Sequence, residues 1–189
     1  MPIRRQLRIL RGKCRKVIGI DVDEQASSNP FLDEFHRIEG PRWPIADGSI
    51  DLCVSDSVLE HIPDPEAFFA ESARVLRAGG YLCLRTPNRL GYVALLASLI
   101  PNRLHAAVLK KAQATRKESD VFPTLYRCNT IGRIRRMLRK YGFEHCVYGY
   151  DAEPQYLQFS RLAFALGVLC NKLLPGMFKN CLFVFAKKL

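Results

Sequence analysis

The sequence predicts an α/β fold built on a doubly wound, mostly parallel sheet. Three observations carry that prediction. Residues 50–55, Ile-Asp-Leu-Cys-Val-Ser, form a short β-branched-rich run suited to a buried parallel strand. Pro63-Asp64-Pro65 then opens a stretch in which Ala67, Phe68, Ala70, Val75 and Leu76 fall at helical spacing. Gly79-Gly80 closes that helix as a C-cap pair, and residues 81–86 return as the next strand. Together these make a strand–helix–strand crossover, the repeating unit of such sheets.

The other elements follow from punctuation. Residues 16–21 read as a strand that ends in Asp21, and Asn29-Pro30 interrupts the chain after it. Residues 35–38 read as a short strand before Gly40-Pro41. Residues 92–100 are a compact apolar run, and 110–121 are polar and charged like an insertion or lid. Asn129-Thr130 can cap a basic helix over 131–141 that stops at Gly142. Residues 143–150 read as a strand and 181–186 as the last strand. Between them, 161–174 is an apolar helix broken by Pro175-Gly176.

The motifs around the crossover carry a resemblance. Pro44-Ile45-Ala46-Asp47-Gly48-Ser49-Ile50-Asp51, then Val58-Leu59-Glu60-His61-Ile62, then Arg74-Val75-Leu76 before Gly79-Gly80, stand in order and at the spacing of class I S-adenosylmethionine (SAM) dependent methyltransferases. The chain resembles the small-molecule type of that family from residue 17 to residue 88; beyond, it agrees only in pattern. The resemblance implies a Rossmann-like sheet, SAM as cofactor and a small-molecule or lipid-linked methyl acceptor. It also implies one domain over 1–189: a basic helix remnant at 1–16, core crossovers at 17–88, an insertion or cap at 89–128, and a C-terminal helix and strands with an apolar helical insert at 129–189.

Two departures qualify it. The family chain begins with a strand leading into a Gly-x-Gly-x-Gly loop, where a Cβ would block the backbone's approach to the cofactor. No such loop precedes Val17; Gly12 is the only glycine upstream. The sheet is therefore expected to be N-terminally incomplete. Residues 1–10 supply a replacement strand, or the remaining strands close the gap, or the chain is a fragment; the fragment reading is preferred. Secondly, where the family often has Gly-Asp facing the adenine, this chain has Gly40-Pro41, and proline offers neither a side-chain acceptor nor an amide donor.

The resemblance assigns site residues. Asp21, ending its strand, corresponds to the acid that accepts both hydroxyls of the cofactor ribose. Asp23 is read as a solvated turn residue. Arg42 or Trp43 is expected to cover the adenine by stacking, unless Trp43 serves as a core residue. Ser55 and Asp56, at the carboxyl end of their strand, face the methyl donor or acceptor. His61 is the candidate general base, its ordinary pKa lying near neutrality; the competing reading makes Glu60-His61 local structure. Residues 86–88 either shape the acceptor pocket or form a turn, and Asp51 is read as structural.

Composition narrows the alternatives. The formal charge is +11 over 189 residues, concentrated in an acid-free stretch at 1–16 and a second basic zone at 110–140. Such zones suit phosphate on nucleic acid, lipid headgroups or a phosphorylated substrate, or are simply solvated helix faces. Nucleic-acid methylation is disfavoured, since Ser55-Asp56-Ser57-Val58 is no base-flipping loop. Seven cysteines form no Cys-x-x-Cys pair and no metal-ligand cluster, and their odd number suits a reducing, cytoplasmic setting. No apolar run reaches the roughly 20 residues of a membrane span. The apolar runs at 92–100 and 162–170 pack either as a helical cap over the site, which is preferred, or as a surface resting on anionic membrane. The rival to an enzyme is a non-catalytic remnant serving as a binding or membrane-surface module.

Overall fold

The computed structural model describes residues 9–92, 94–95, 123–151 and 160–189. The chain divides into two compact units, 1–47 and 48–189. The proposed replacement strand at 1–10 lies almost wholly outside the described residues, as do most of the apolar run at 92–100 and all of the polar segment at 110–121.

The first unit is built on two parallel strands, β1 (Ile18–Asp21) and β2 (Glu34–Arg37), in register from Ile18↔Glu34 to Asp21↔Arg37. Between them, Asp23 caps a 3-10 turn (Glu24–Ser28) by accepting the Gln25 amide. Asp33 braces the start of β1, taking the Val17 amide on Oδ2 and the Arg11 guanidinium on Oδ1, each at 2.9 Å. Across the pair, the Lys16 ammonium beside Glu34 holds that carboxyl below its ordinary range.

The second unit is a four-stranded sheet in the order β3-β4-β6-β5. Its strands are β3 (Ile50–Asp56), β4 (Leu76–Pro87), β5 (Phe143–Tyr150) and β6 (Cys181–Lys188). β3 and β4 are parallel, and β6 runs against both β4 and β5, so the sheet is mixed. The helices are α1 (Pro65–Val75), α2 (Ile131–Lys140) and α3 (Arg161–Leu173).

Each helix starts where its cap chemistry requires. Asp64 Oδ1 accepts the Glu66 and Ala67 amides at 3.0 and 3.2 Å, with Pro65 in the first turn. Thr130 accepts the Arg133 amide at the head of α2, and Gly142, at φ +75°, turns the chain out after its end. Phe68, Phe69, Ser72 and Val75 of α1, with Ile134 and Leu138 of α2, are buried, as are Leu82, Leu84, Val147, Leu182, Val184 and Ala186 of the sheet. Each large apolar side chain so buried contributes about 1.5–3 kcal/mol relative to exposure.

Two expectations are corrected. Gly79-Gly80 does not cap α1: the helix stops at Val75, and Leu76 is already extended and paired with Ile50. The next pairing is Leu52↔Tyr81, so the chain bulges between, and the glycines serve the bulge. Gly79 has φ +75°, and a Cβ on Gly80 would meet the Arg77 carbonyl oxygen at 2.9 Å and that of Ile50 at 3.1 Å. Nor is β3 a buried strand. It is outermost in its sheet, and Leu52 and Val54 are 42% and 56% exposed.

Candidate functional site

β3 and β4 run parallel and finish together, which brings their polar ends side by side. Asp56 pairs with Arg85 across the strands at 2.5 Å and accepts the Ser57 hydroxyl at 3.1 Å. Burial opposes the Arg85 charge, but the Asp56 bond and field, aided by Cys181 and Glu60, carry the guanidinium pKa above its ordinary value. Ser57 leaves the strand with φ +60°, and its amide donates to the Arg85 carbonyl at 2.8 Å. The chain therefore turns off the sheet at this residue, and a short turn carries Leu59, Glu60 and His61.

Glu60 is the centre of a buried network. The Thr86 hydroxyl donates to its Oε2 at 3.0 Å, and the Asn129 amide donates to Thr86 Oγ1 at 2.6 Å and to the Pro87 carbonyl at 3.2 Å. Its backbone carbonyl accepts the Leu125 and Tyr126 amides at 2.7 and 3.1 Å. Glu60, Thr86 and Asn129 are all buried, which makes each of these bonds costly to lose. Asn88 is buried too; its amide donates to the Met177 and Lys179 carbonyls at 2.8 and 2.7 Å. Of residues 86–88, the hydroxyl and amide thus serve bonds within the fold.

His61 stands beside this network. Its Nδ1 lies 3.1 Å from the Pro123 carbonyl, which assigns the proton of the neutral ring to Nδ1. Nε2 lies 3.9 Å from Glu60 Oε1.

Ser55 Oγ is buried and has no hydrogen-bond partner among the described residues, and the same holds for Asn129 Oδ1. Buried polar atoms are normally satisfied, so two such atoms around the strand ends fit a polar ligand better than an apolar one. The cofactor named above is polar along most of its length, and these residues fit it on that count.

Sequence reasoning placed Ser55, Asp56 and His61 here, and all three stand in the second unit. Asp21 and Arg42 stand in the first. Asp21 ends β1 and accepts the Asp23 amide at 3.0 Å, while its carbonyl accepts the Ile38 amide. Arg42 pairs with Asp47 at 2.8 Å, both side chains exposed. Asp23 caps the 3-10 turn, and Asp51 pairs with Arg77 at 2.5 Å. Sequence reasoning missed Arg85 and Asn129. Parallel pairing of the two strands sets Arg85 against Asp56; of the Asn129-Thr130 pair, Thr130 fills the capping role and Asn129 turns to the buried network.

Among the described residues no group of His, Cys, Asp and Glu could hold a metal ion, and no helix is long and apolar enough to cross a membrane. Burial pushes the Cys53 thiol up to about 11, with Cys83 adding to it, and the Cys128 thiol also up to about 11. Neither is an activated nucleophile.

Comparison with known proteins bears on the fold. Residues 4–84 match the family model of a methyltransferase domain. A protein of Mycobacterium tuberculosis (strain CDC 1551 / Oshkosh), described as a probable S-adenosylmethionine-dependent methyltransferase, is 37% identical over 84 residues, 42% of this chain and 30% of its own length. An uncharacterized methyltransferase of Mycobacterium avium (strain 104) is 46% identical over 82 residues, 40% of this chain and 32% of its own length. These matches thus span about a third of the relatives' length. Among solved structures, an S-adenosylmethionine-dependent methyltransferase from Mesorhizobium loti superimposes with a TM-score of 0.58 at 16% identity, covering 92% of this chain and 80% of that one. One from Methanosarcina mazei gives 0.54 at 19% identity, covering 92% and 82%. The chain has a class I SAM-dependent methyltransferase-like fold.

Proposed function

We propose that the chain works as a SAM-dependent methyltransferase on a small-molecule or lipid-linked acceptor. The observation that carries the reading is the gathering of Ser55, Asp56, Glu60 and His61 at the carboxyl end of a parallel strand pair, where open α/β sheets bind their ligands. The cofactor, when bound, supplies an electrophilic methyl group. Asp21 would accept the ribose hydroxyls, Arg42 would stack on the adenine, and Ser55 and Asp56 would hold the polar end near the acceptor. His61 would take the acceptor's proton through Nε2, with Glu60 steadying the charge. For an acceptor that is already nucleophilic, alignment alone suffices and His61 serves only to shape the turn.

A second reading, a non-catalytic module that keeps the fold, draws support from Pro41 and from the engagement of Arg42 with Asp47. Calorimetric titration of S-adenosylhomocysteine into the 189-residue chain separates the two. The enzyme reading expects micromolar binding that Asp21→Ala abolishes and Ser55→Ala weakens. A folded chain that gives no heat with the ligand overturns it and leaves the module.

A further inference from the structure

α3 presents an exposed apolar stripe among the described residues. Leu162, Leu166, Leu169 and Leu173 are 71%, 53%, 50% and 73% exposed, although a leucine this close to a core is ordinarily covered. Their spacing of four, three and four residues puts all four on one side of the helix. The opposite side is the anchored one: Gly167 is buried, and Asn171 Oδ1 accepts the Tyr92 hydroxyl at 2.9 Å. Just past the helix, Met177 is 50% exposed and extends the apolar surface.

The stretch of chain that carries the stripe has charge of one sign. From Arg161 to Leu189 the chain has five cations, Arg161, Lys172, Lys179, Lys187 and Lys188, and no acid. Arg161 and Lys172 are eleven positions apart, about three turns, and so flank the same edge of the leucine stripe. Long basic side chains beside an apolar face can lay their stems along it and leave the charge at its rim. An exposed leucine face with a basic border is the pattern of a helix lying in a lipid interface, where headgroup phosphates meet the cations and the leucines enter the acyl boundary.

We propose that α3 docks the protein onto an anionic lipid surface. A second copy of the chain fits less well. Two helices of thirteen residues supply fewer than the three or four heptads that a lasting coiled coil needs, and each brings the same positive charge. The docking stands apart from methyl transfer: a chain that never binds the cofactor still docks, and one that binds it can fail to.

The test is co-sedimentation of the full 189-residue chain with vesicles of equimolar phosphatidylglycerol and phosphatidylcholine, against phosphatidylcholine alone. Wild type should sediment with the anionic vesicles and not with the neutral ones. Leu166→Gln with Leu169→Gln should weaken binding at least about tenfold, because leucine leaving water is worth that much per side chain. Arg161→Gln with Lys172→Gln should weaken it too and flatten its salt dependence. Far-UV circular dichroism checks that each variant folds. The proposal is overturned if the leucine variant binds like wild type, or if wild type ignores anionic vesicles. It is equally overturned if wild type forms a concentration-dependent dimer that the leucine variant dissolves, because the stripe would then belong to a second copy.

Discussion

The two faces of the four-stranded sheet differ more than any other two regions of the molecule. One bears Leu82, Leu84, Val147, Leu182, Val184 and Ala186, all buried. The other bears Leu52, Val54, Tyr81, Tyr148 and Phe185, every one of them exposed by two fifths or more. Both faces are apolar in sequence. The difference teaches that composition selects a strand, while the layers packed on it decide whether its side chains leave water. On the open face the aromatic side chains cover one another instead: Tyr148 stacks on Phe183 and Phe185 at 5.9 and 6.3 Å, and Tyr150 meets Phe183 edge-on.

Substitutions can break or sharpen this contrast. Phe69→Ala, at a fully buried ring edge-on to Phe68, should destabilise the fold by about 3–5 kcal/mol in urea denaturation. A loss below about 1 kcal/mol would mean the covered face is not the core. Thr86→Val keeps the shape but removes the hydroxyl between Glu60 and Asn129, and should cost about 1–3 kcal/mol by the same measurement.

The thiols report the faces chemically. Cys53 shares a face with Leu82, while Cys146 is exposed beside Phe185 on the other. Iodoacetamide at pH 8 should label the exposed Cys14, Cys146 and Cys170 well before Cys53 and the buried Cys128 in the folded chain, as peptide mapping would show. Their raised values also set the sign of a pH dependence. The folded state holds these protons more tightly than the unfolded chain. Their stabilising effect is therefore full below about pH 9 and is lost as the pH rises toward 11. A melting temperature that rose over that window would contradict the desolvation of the Cys53 and Cys128 thiols. The smallest effect belongs to Val54→Thr on the open face, which should stay within about 0.5 kcal/mol of wild type.

Local chemistry was legible in the sequence. Strand β5 follows from the aromatic-rich run that begins after Gly142, and α1 and α2 begin where Asp64 and Thr130 can cap them. What depends on distant partners was not legible. Ile50–Asp56 reads as buried because its residues are apolar and β-branched, yet burial of a strand depends on neighbours the segment does not encode. Gly79-Gly80 reads as a helix stop because glycines often are; only the pairing of Leu76 with Ile50 shows that the helix has already ended. The site divides in the same way. Ser55, Asp56 and His61 follow from their place after a strand, whereas the Glu60–Thr86–Asn129 chain joins residues 26 and 43 positions apart.

The place of β6 has a consequence for how the protein is made. Its two neighbours, β4 and β5, both precede it in the chain, and the sheet has no direct ladder between them. During vectorial synthesis they emerge first and must wait with open edges on either side of an empty slot. The slot closes only when β6 pairs with both, so the ladder on that side of β4 and of β5 depends on the last strand of the sheet. Until then each presents an unpaired edge of the kind that pairs with other chains.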